Sequence, residues 1–202
     1  MKSYTIKNLA SKDYSLAPKV IFDQLPWGGT YHPECYAQLI FVQNEGFYAK
    51  LFAKEQNPRT TYTNYYDPVC KDSCLEWFVN FKPQMDNLYI NCEANSRGTL
   101  LCGVGTGRHG RIPIDQLTGG MLPEVQSGRE GEYWWVEYFL SLDLLKKVFG
   151  EINLNSGAEY RANFYKCGDD TEIEHYVTWS PINDLPYPDY HCPNQFGKLI
   201  LE

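Results

Sequence analysis

The 202-residue chain is short of positive charge: 18 lysines and arginines face 25 aspartates and glutamates, a formal net charge of −7. Phosphate binding needs a basic footprint, so nucleic acid is not an expected partner. No apolar run approaches the ~20 residues of a membrane-crossing helix, so no membrane partner is expected either. Internal repeats, coiled-coil heptads and low-complexity tracts are missing. Charged residues are only 21% against 43% hydrophobic ones, which argues against intrinsic disorder. The polar opening Met1-Lys2-Ser3-Tyr4-Thr5 holds no secretory h-region. The expected location is cytoplasmic if that start is native, and secreted if a signal peptide was trimmed.

Helix signals are scarce too. One segment, Leu142 to Phe149, carries a full set. Ser141 serves as N-cap, Asp143 sits in the first turn, Lys146 and Lys147 in the last, and Gly150 stops it. Aromatic and β-branched residues, by contrast, are plentiful. The runs 35–43 and 46–54 flank Asn44-Glu45-Gly46, a hairpin turn. Further strands are predicted at 73–80, 87–93, 99–104, 133–140, 159–166 and 174–179, separated by glycine and proline. Many short strands with one short helix predict a mainly β fold, an antiparallel β-sandwich or jelly roll, forming one domain over residues 1–202.

Seven cysteines make an odd number, unlike a fully disulfide-bonded secreted domain, and most read as buried thiols. Cys70-x-x-x-Cys74 with His191-Cys192 has the wrong spacing for common zinc knuckles. Nine of the sixteen glycines fall between Gly98 and Gly131, which reads as a long loop region carrying Arg108 and Arg111. Gly105-x-Gly107-x-x-Gly110 formally matches a dinucleotide fingerprint. Arg111-Ile112-Pro113 follows it instead of an amphipathic helix, so the phosphate-cradling terminus is lacking. Pro181 to Pro193 holds four prolines and should run extended over the surface.

Strand alternation assigns faces. Leu75, Trp77 and Val79 oppose Cys74, Glu76, Phe78 and Asn80. Leu88, Ile90 and Cys92 oppose Tyr89, Asn91 and Glu93, while Tyr160, Ala162 and Phe164 oppose Arg161, Asn163 and Tyr165. If the three strands share a sheet, its second face gathers Glu76, Tyr89, Asn91, Glu93, Arg161, Asn163 and Tyr165. Amides, carboxylates and guanidinium groups suit sugar hydroxyls, and flat rings suit pyranose C–H faces. The same pattern also describes the solvated face of an ordinary antiparallel sheet.

Five motifs in order resemble the family 9-like carbohydrate-binding modules, including stand-alone members. They are Asp72-Ser73-Cys74-Leu75-Glu76-Trp77-Phe78-Val79, then Tyr89-Ile90-Asn91-Cys92-Glu93-Ala94-Asn95, then Ala162 through Asp169, then Trp179-Ser180-Pro181, and Pro188-Asp189-Tyr190-His191-x-Pro193-x-x-Phe196-Gly197-x-Leu199. The resemblance covers about residues 17–202. It implies a β-sandwich that binds a saccharide without catalysis, in the context of polysaccharide breakdown and a separately encoded glycoside hydrolase. It also implies two tryptophans clamping a terminal sugar ring. Here the first falls at Val69 or Cys70 and the second near Tyr190, while the family's arginine falls near Tyr89 or Ile90. Glu76 takes the acidic position, and Asn163 and Tyr165 the amide strand. Trp179 and His191 join Tyr190 as candidate ligand residues, and Trp27, Tyr66, Trp134 or Trp135 are candidate replacement platforms. Calcium is structural in some relatives, with Asp67, Asp169 and Asp170 as available oxygen ligands.

Two alternatives stand beside sugar binding. Glu76 and Glu93 face the same way, as a glycosidase pair ~5–10 Å apart would need to, with Glu137 as a third carboxylate. The other is a protein-interaction sandwich that has lost its sugar.

Overall fold

Side-chain alternation decides which strands form, and the computed structural model, describing all of residues 1–202, contains thirteen. In chain order they are β1 (Ser3–Leu9), β2 (Val20–Ile21), β3 (Cys35–Val42), β4 (Gly46–Lys54), β5 (Cys74–Asn80), β6 (Tyr89–Asn95) and β7 (Leu100–Gly105). There follow β8 (Ile112–Pro113), helix α1 (Ile114–Thr118), β9 (Glu124–Glu130), β10 (Tyr133–Ser141) and helix α2 (Leu142–Phe149). The chain ends with β11 (Glu159–Gly168), β12 (His175–Thr178) and β13 (Gly197–Leu201).

One sheet runs β8-β7-β6-β5-β11-β13-β1 and the other β1-β3-β4-β10-β9. β1 belongs to both: Ser3–Ile6 pairs with β13 and Lys7–Leu9 with β3, each in parallel. Every other ladder is antiparallel, so the mainly β sandwich expected from the sequence is antiparallel except at β1, whose parallel pairing on both sides makes the sheet mixed. The polar-looking start is therefore structural. Tyr4 and Ile6 alternate into the core while Ser3 and Thr5 point out, so average polarity hides a strand.

Between the sheets lies one cluster of 38 buried residues, drawing Trp77 and Phe164 from one side and Leu51, Trp134 and Val136 from the other. The rings of Trp77 and Phe164 stack 6.4 Å apart, and Tyr138 Oη donates across the gap to the Leu75 carbonyl at 2.6 Å. Trp77 is thus core, and of the adjacent pair only Trp134 turns inward.

Within the glycine-rich stretch 98–131 the strand expected at 99–104 is β7, but the remainder corrects the expectation of a long loop, since it contains β8, α1 and β9. β9 is an edge strand with little apolar sequence, so only pairing with β10 reveals it. A Cβ at Gly128 would lie 2.6 Å from the Trp135 ring, which explains a glycine inside that strand. α1 is a second helix, five residues long and too short for a periodic signature.

Helix α2 matches its signals. Ser141 Oγ accepts from the Leu144 amide at 3.2 Å, and Gly150 takes a positive φ of 68° at its end. Ser141→Ala should cost about 1 kcal/mol and lower the melting temperature by about 2–4 °C. An unchanged melt would mean that the cap adds nothing beyond solvent.

Candidate functional site

Three neighbouring strands build the site's floor. In β5, β6 and β11 the outward side chains come into register: Glu76 lies opposite Glu93 on one side and Tyr165 on the other, and Cys74 lies opposite Cys167. This face is not solvated. The proline-rich tail crosses it as irregular chain, bent at residues 184 and 186–187 where an extended run was expected, and is tied down by buried amides and hydroxyls. Asn163 Nδ2 donates to the Ser180 carbonyl at 3.0 Å, and the Ser180 amide returns a bond to Asn163 Oδ1 at 2.8 Å. Tyr165 Oη donates to the Tyr190 carbonyl at 3.1 Å. Ile182, Tyr190 and Phe196 complete a second apolar cluster over Phe78 and Tyr89.

The tail leaves a slot of about 100 Å³. Glu76, Glu93, Cys70 and Cys167 form its inner end. Its walls come from Arg108 and Asp169 on loops, from Tyr176 on β12 and from Asp189, Tyr190 and His191 on the tail. Tyr190 stacks at 4.0 Å and 7° on Tyr165, with its own hydroxyl on the Lys166 carbonyl at 3.1 Å. One ring face is therefore already used, and only 8% of the residue is exposed. Tyr176 is half-buried, edge-on to Trp27 at 5.8 Å and to Tyr190 at 6.2 Å.

Burial sets the protonation of this site. Desolvation, with Glu93 opposite, raises Glu76 well above the usual carboxylate range. Desolvation also raises Glu93 to about 7, against the opposing pull of Asn91, which donates to Glu93 Oε1 at 2.7 Å, and of Arg111. Asp169 is raised by the same cause. Burial, then Arg111, lowers His191 to about 3, so the ring is neutral. Tyr89 Oη lies 2.6 Å from His191 Nδ1. In the tautomer whose Nδ1 accepts from Tyr89, the proton resides on Nε2 and His191 is a donor there. Arg108 pairs with Asp189 at 3.2 Å, and Asp189 Oδ1 accepts the His191 amide at 2.9 Å.

Of the ten residues singled out in the sequence, Glu76, Glu93, Tyr190 and His191 line the slot. Tyr89 and Asn91 stand behind it, orienting His191 and Glu93. The other four lie elsewhere. Asn163 and Tyr165 face the right way but are sealed beneath the tail. Trp179 packs in the main core, edge-on to Phe164. Arg161 sits at the β11 end opposite Asn80 and Lys198, beyond the tail, and reaches Met1. None of Trp27, Tyr66, Trp134 or Trp135 lines the slot. Trp27 backs Tyr176 and Tyr190, and Trp135 lies under the Lys50 ammonium at 4.1 Å. Arg111 folds inward, its guanidinium 4.3 Å from the Tyr89 ring centre and its Nε 3.0 Å from Asn91 Oδ1. Cys70, Arg108, Asp169, Tyr176, Cys167 and Asp189 are the wall residues that strand alternation did not select. Arg108, Asp169 and Asp189 sit on loops, where no period exists to read, while Cys167 lies in β11 just past the predicted 159–166 and Tyr176 in β12.

The carboxylates suggested for calcium do not converge. Asp67 caps the amides of Thr63 and Asn64, Asp170 pairs with Lys71 at 3.6 Å, and Asp169 faces the slot. They do not form a calcium cage. Glu137, the third carboxylate considered for catalysis, pairs with Lys12 at 2.8 Å instead. A wider hollow of about 340 Å³ flanks the same 169–175 loop over Glu55 and His175. The Glu55 carboxylate there is already bonded by Tyr31 and Trp134.

A family model described as carbohydrate-binding family 9 matches residues 4–201. No curated protein matches the chain. Among solved structures, a candidate carbohydrate-binding protein from Bacteroides uniformis is 26% identical, with a TM-score of 0.83, over 100% of this chain and 99% of that one. A family 9 module from Caldicellulosiruptor kristjanssonii in complex with cellotriose is 10% identical, with a TM-score of 0.68, over 100% of this chain and 94% of that one. A family 9 module from the same organism in complex with glucose is 11% identical, with a TM-score of 0.66, over 100% and 96%. At these last two identities the likeness is one of fold.

Proposed function

The chain belongs to carbohydrate-binding family 9 and is a non-catalytic carbohydrate-binding module, and from that premise we propose that the slot between Glu76, Glu93 and the 188–191 segment receives one sugar ring of a gluco-configured saccharide. The carrying observation is the facing pair Glu76 and Glu93, both raised by burial, at the inner end of a slot whose far wall holds neutral His191. A protonated carboxyl both donates and accepts, as a hydroxyl does, so the pair meets hydroxyls without burying a bare charge. Arg108 and Asp189 provide a charged rim, while Tyr176 and the exposed edge of Tyr190 give the ring's C–H face an apolar wall. Tyr176 replaces the expected tryptophan platform in this reading. The cellotriose and glucose complexes of the structural neighbours make those two sugars the first probes. As part of the same proposal, the module serves polysaccharide breakdown carried out by a separately encoded glycoside hydrolase.

The raised carboxyls also weigh against a Glu76/Glu93 hydrolase. A retaining pair needs one ionised nucleophile beside one acid, and here desolvation lifts both groups together.

Titration calorimetry with glucose and cellotriose tests the proposal. Glu76→Ala and Tyr176→Ala should each weaken binding at least tenfold, about 1.4 kcal/mol, while Arg161→Ala leaves it unchanged. Absence of binding to any sugar on a glycan array and at millimolar concentration would overturn it. Turnover of an aryl glycoside that vanishes with Glu93→Gln would favour the enzyme instead.

A further inference from the structure

We propose that Cys74, Glu76 and Cys167 form a binding site for one thiophilic divalent cation of the zinc class at the inner end of the slot. Cys74 and Cys167 are direct cross-strand partners on β5 and β11, so both thiols leave the same sheet face. Glu76 is two residues along β5 and shares that face. The two sulfurs and a Glu76 oxygen all lie within 4.8 Å of one another, with Cys167 Sγ 2.9 Å from Glu76 Oε1. Zinc–sulfur bonds of about 2.3 Å and zinc–oxygen bonds of about 2.0 Å place tetrahedral ligand atoms about 3.5–4 Å apart, so small side-chain rotations suffice.

Without a cation this arrangement is poorly satisfied. The Glu76 side chain is 2% exposed, and its one hydrogen bond comes from a thiol, a weak donor. The Cys74 thiol meets the Leu75 carbonyl at 3.9 Å and the Cys167 thiol, both weak partners. Glu93 lies opposite Glu76, and Asp169 lines the same slot. Three acidic groups and two thiols thus crowd together, while the slot's arginine is spent on Asp189. A cation supplies the charge this group lacks.

Three features define its class. Two sulfurs with one carboxylate oxygen favour a borderline-soft metal over calcium or magnesium. The ligands stand on central strands of a sheet, a rigid mount that loops do not offer. Cys167 and Glu76 line the slot whereas Cys74 does not, so the fourth coordination position faces the slot. Coordination would displace the proton that Glu76 holds in the metal-free slot, and three protein ligands with one open position would leave the ion free to take water or, once a ring enters, a sugar hydroxyl in place of that proton's hydrogen bond.

Cobalt(II) titration of the reduced full-length protein tests this without any saccharide, so its outcome is separate from that of the sugar-binding reading. One equivalent should bind with sulfur-to-cobalt charge-transfer bands, and zinc should displace it. Cys74→Ser with Cys167→Ser should weaken binding at least 100-fold, whereas Cys192→Ser should not change it. X-ray absorption of the zinc-loaded wild type should show a shell of two sulfurs and two lighter atoms, a readout that does not depend on the variants folding. No thiolate band, a band that persists in the double variant, or a sulfur-free shell would each overturn the proposal.

Discussion

Lys166→Met should destabilise the protein by about 3–5 kcal/mol, the usual cost of stranding one member of a buried ion pair, and lower its melting temperature by about 10 °C. Lys166 is fully buried, with its ammonium on His175 Nε2 at 2.5 Å, on the Cys167 carbonyl at 2.9 Å and 3.4 Å from Glu55. Glu55 also accepts from Ser73 at 2.5 Å, Trp134 at 2.9 Å and Tyr31 at 3.2 Å. His175 cannot replace the lost cation. Burial, and then Lys166, lowers it to about 4, so near pH 7 it is neutral and serves as the ammonium's acceptor. Methionine fills the space of the lysine stem but leaves the Glu55 carboxylate with dipoles alone.

A double-mutant cycle separates this from lost packing. Glu55→Gln alone strands the lysine, whereas Lys166→Met with Glu55→Gln removes both charges. The double variant should therefore be more stable than the sum of the single losses implies, by more than 1 kcal/mol. Additive losses, or a Lys166→Met melt within 2 °C of wild type, would show that the pair carries no buried charge.

This network illustrates what the sequence could reveal. Alternation correctly divides Trp77 from Glu76 and Phe164 from Tyr165, because period two depends only on local backbone. Lys166 follows the same rule and faces inward with Phe164, yet a lysine in that position gives no hint that Glu55, over a hundred residues earlier, awaits it. The helix Leu142–Phe149 is legible from its caps, while β1, β9 and β13 are not. Their identity depends on partners: β13 and β3 flank β1, and β10 alone supports β9. The site divides in the same way. Its floor is legible because β5, β6 and β11 are regular. Its walls at Arg108, Asp169 and Asp189 are loop residues placed by tertiary contacts, and Tyr176 stands on β12, whose pairing with β11 places it. The tail's course across this face turns an apparently solvated surface into a buried one and removes Asn163 and Tyr165 from reach of a ligand.

Glu93→Gln should stabilise the metal-free protein, and increasingly so as pH rises from 4.5 to 7. The folded-state value of Glu93 is raised from 4.5 to about 7, chiefly by desolvation. Below the unfolded value the acid is protonated in both states and costs nothing. Between the two values the unfolded chain has lost its proton while the folded chain keeps it, so stability falls with pH, and above about 7 the full penalty applies. A shift of that size corresponds to roughly 3 kcal/mol, or about 6–12 °C in melting temperature. Wild type alone would conceal this slope. His175 and His191, lowered to about 4 and about 3, lose protons on folding, and their contribution rises with pH up to the ordinary histidine value. Glu76, raised by burial as well, adds a second falling slope, so two rising histidine slopes and two falling carboxyl slopes overlap between pH 4.5 and 6.5 and largely cancel. The difference between variant and wild type isolates the carboxyl, because glutamine still offers Asn91 an acceptor and leaves both histidines in place. Melting curves in chelator at pH 4, 5, 6, 7 and 8 measure it directly. A difference that stays constant across that range would mean that Glu93 ionises as it does in water, and the protonated pair assigned to the sugar slot would go with it.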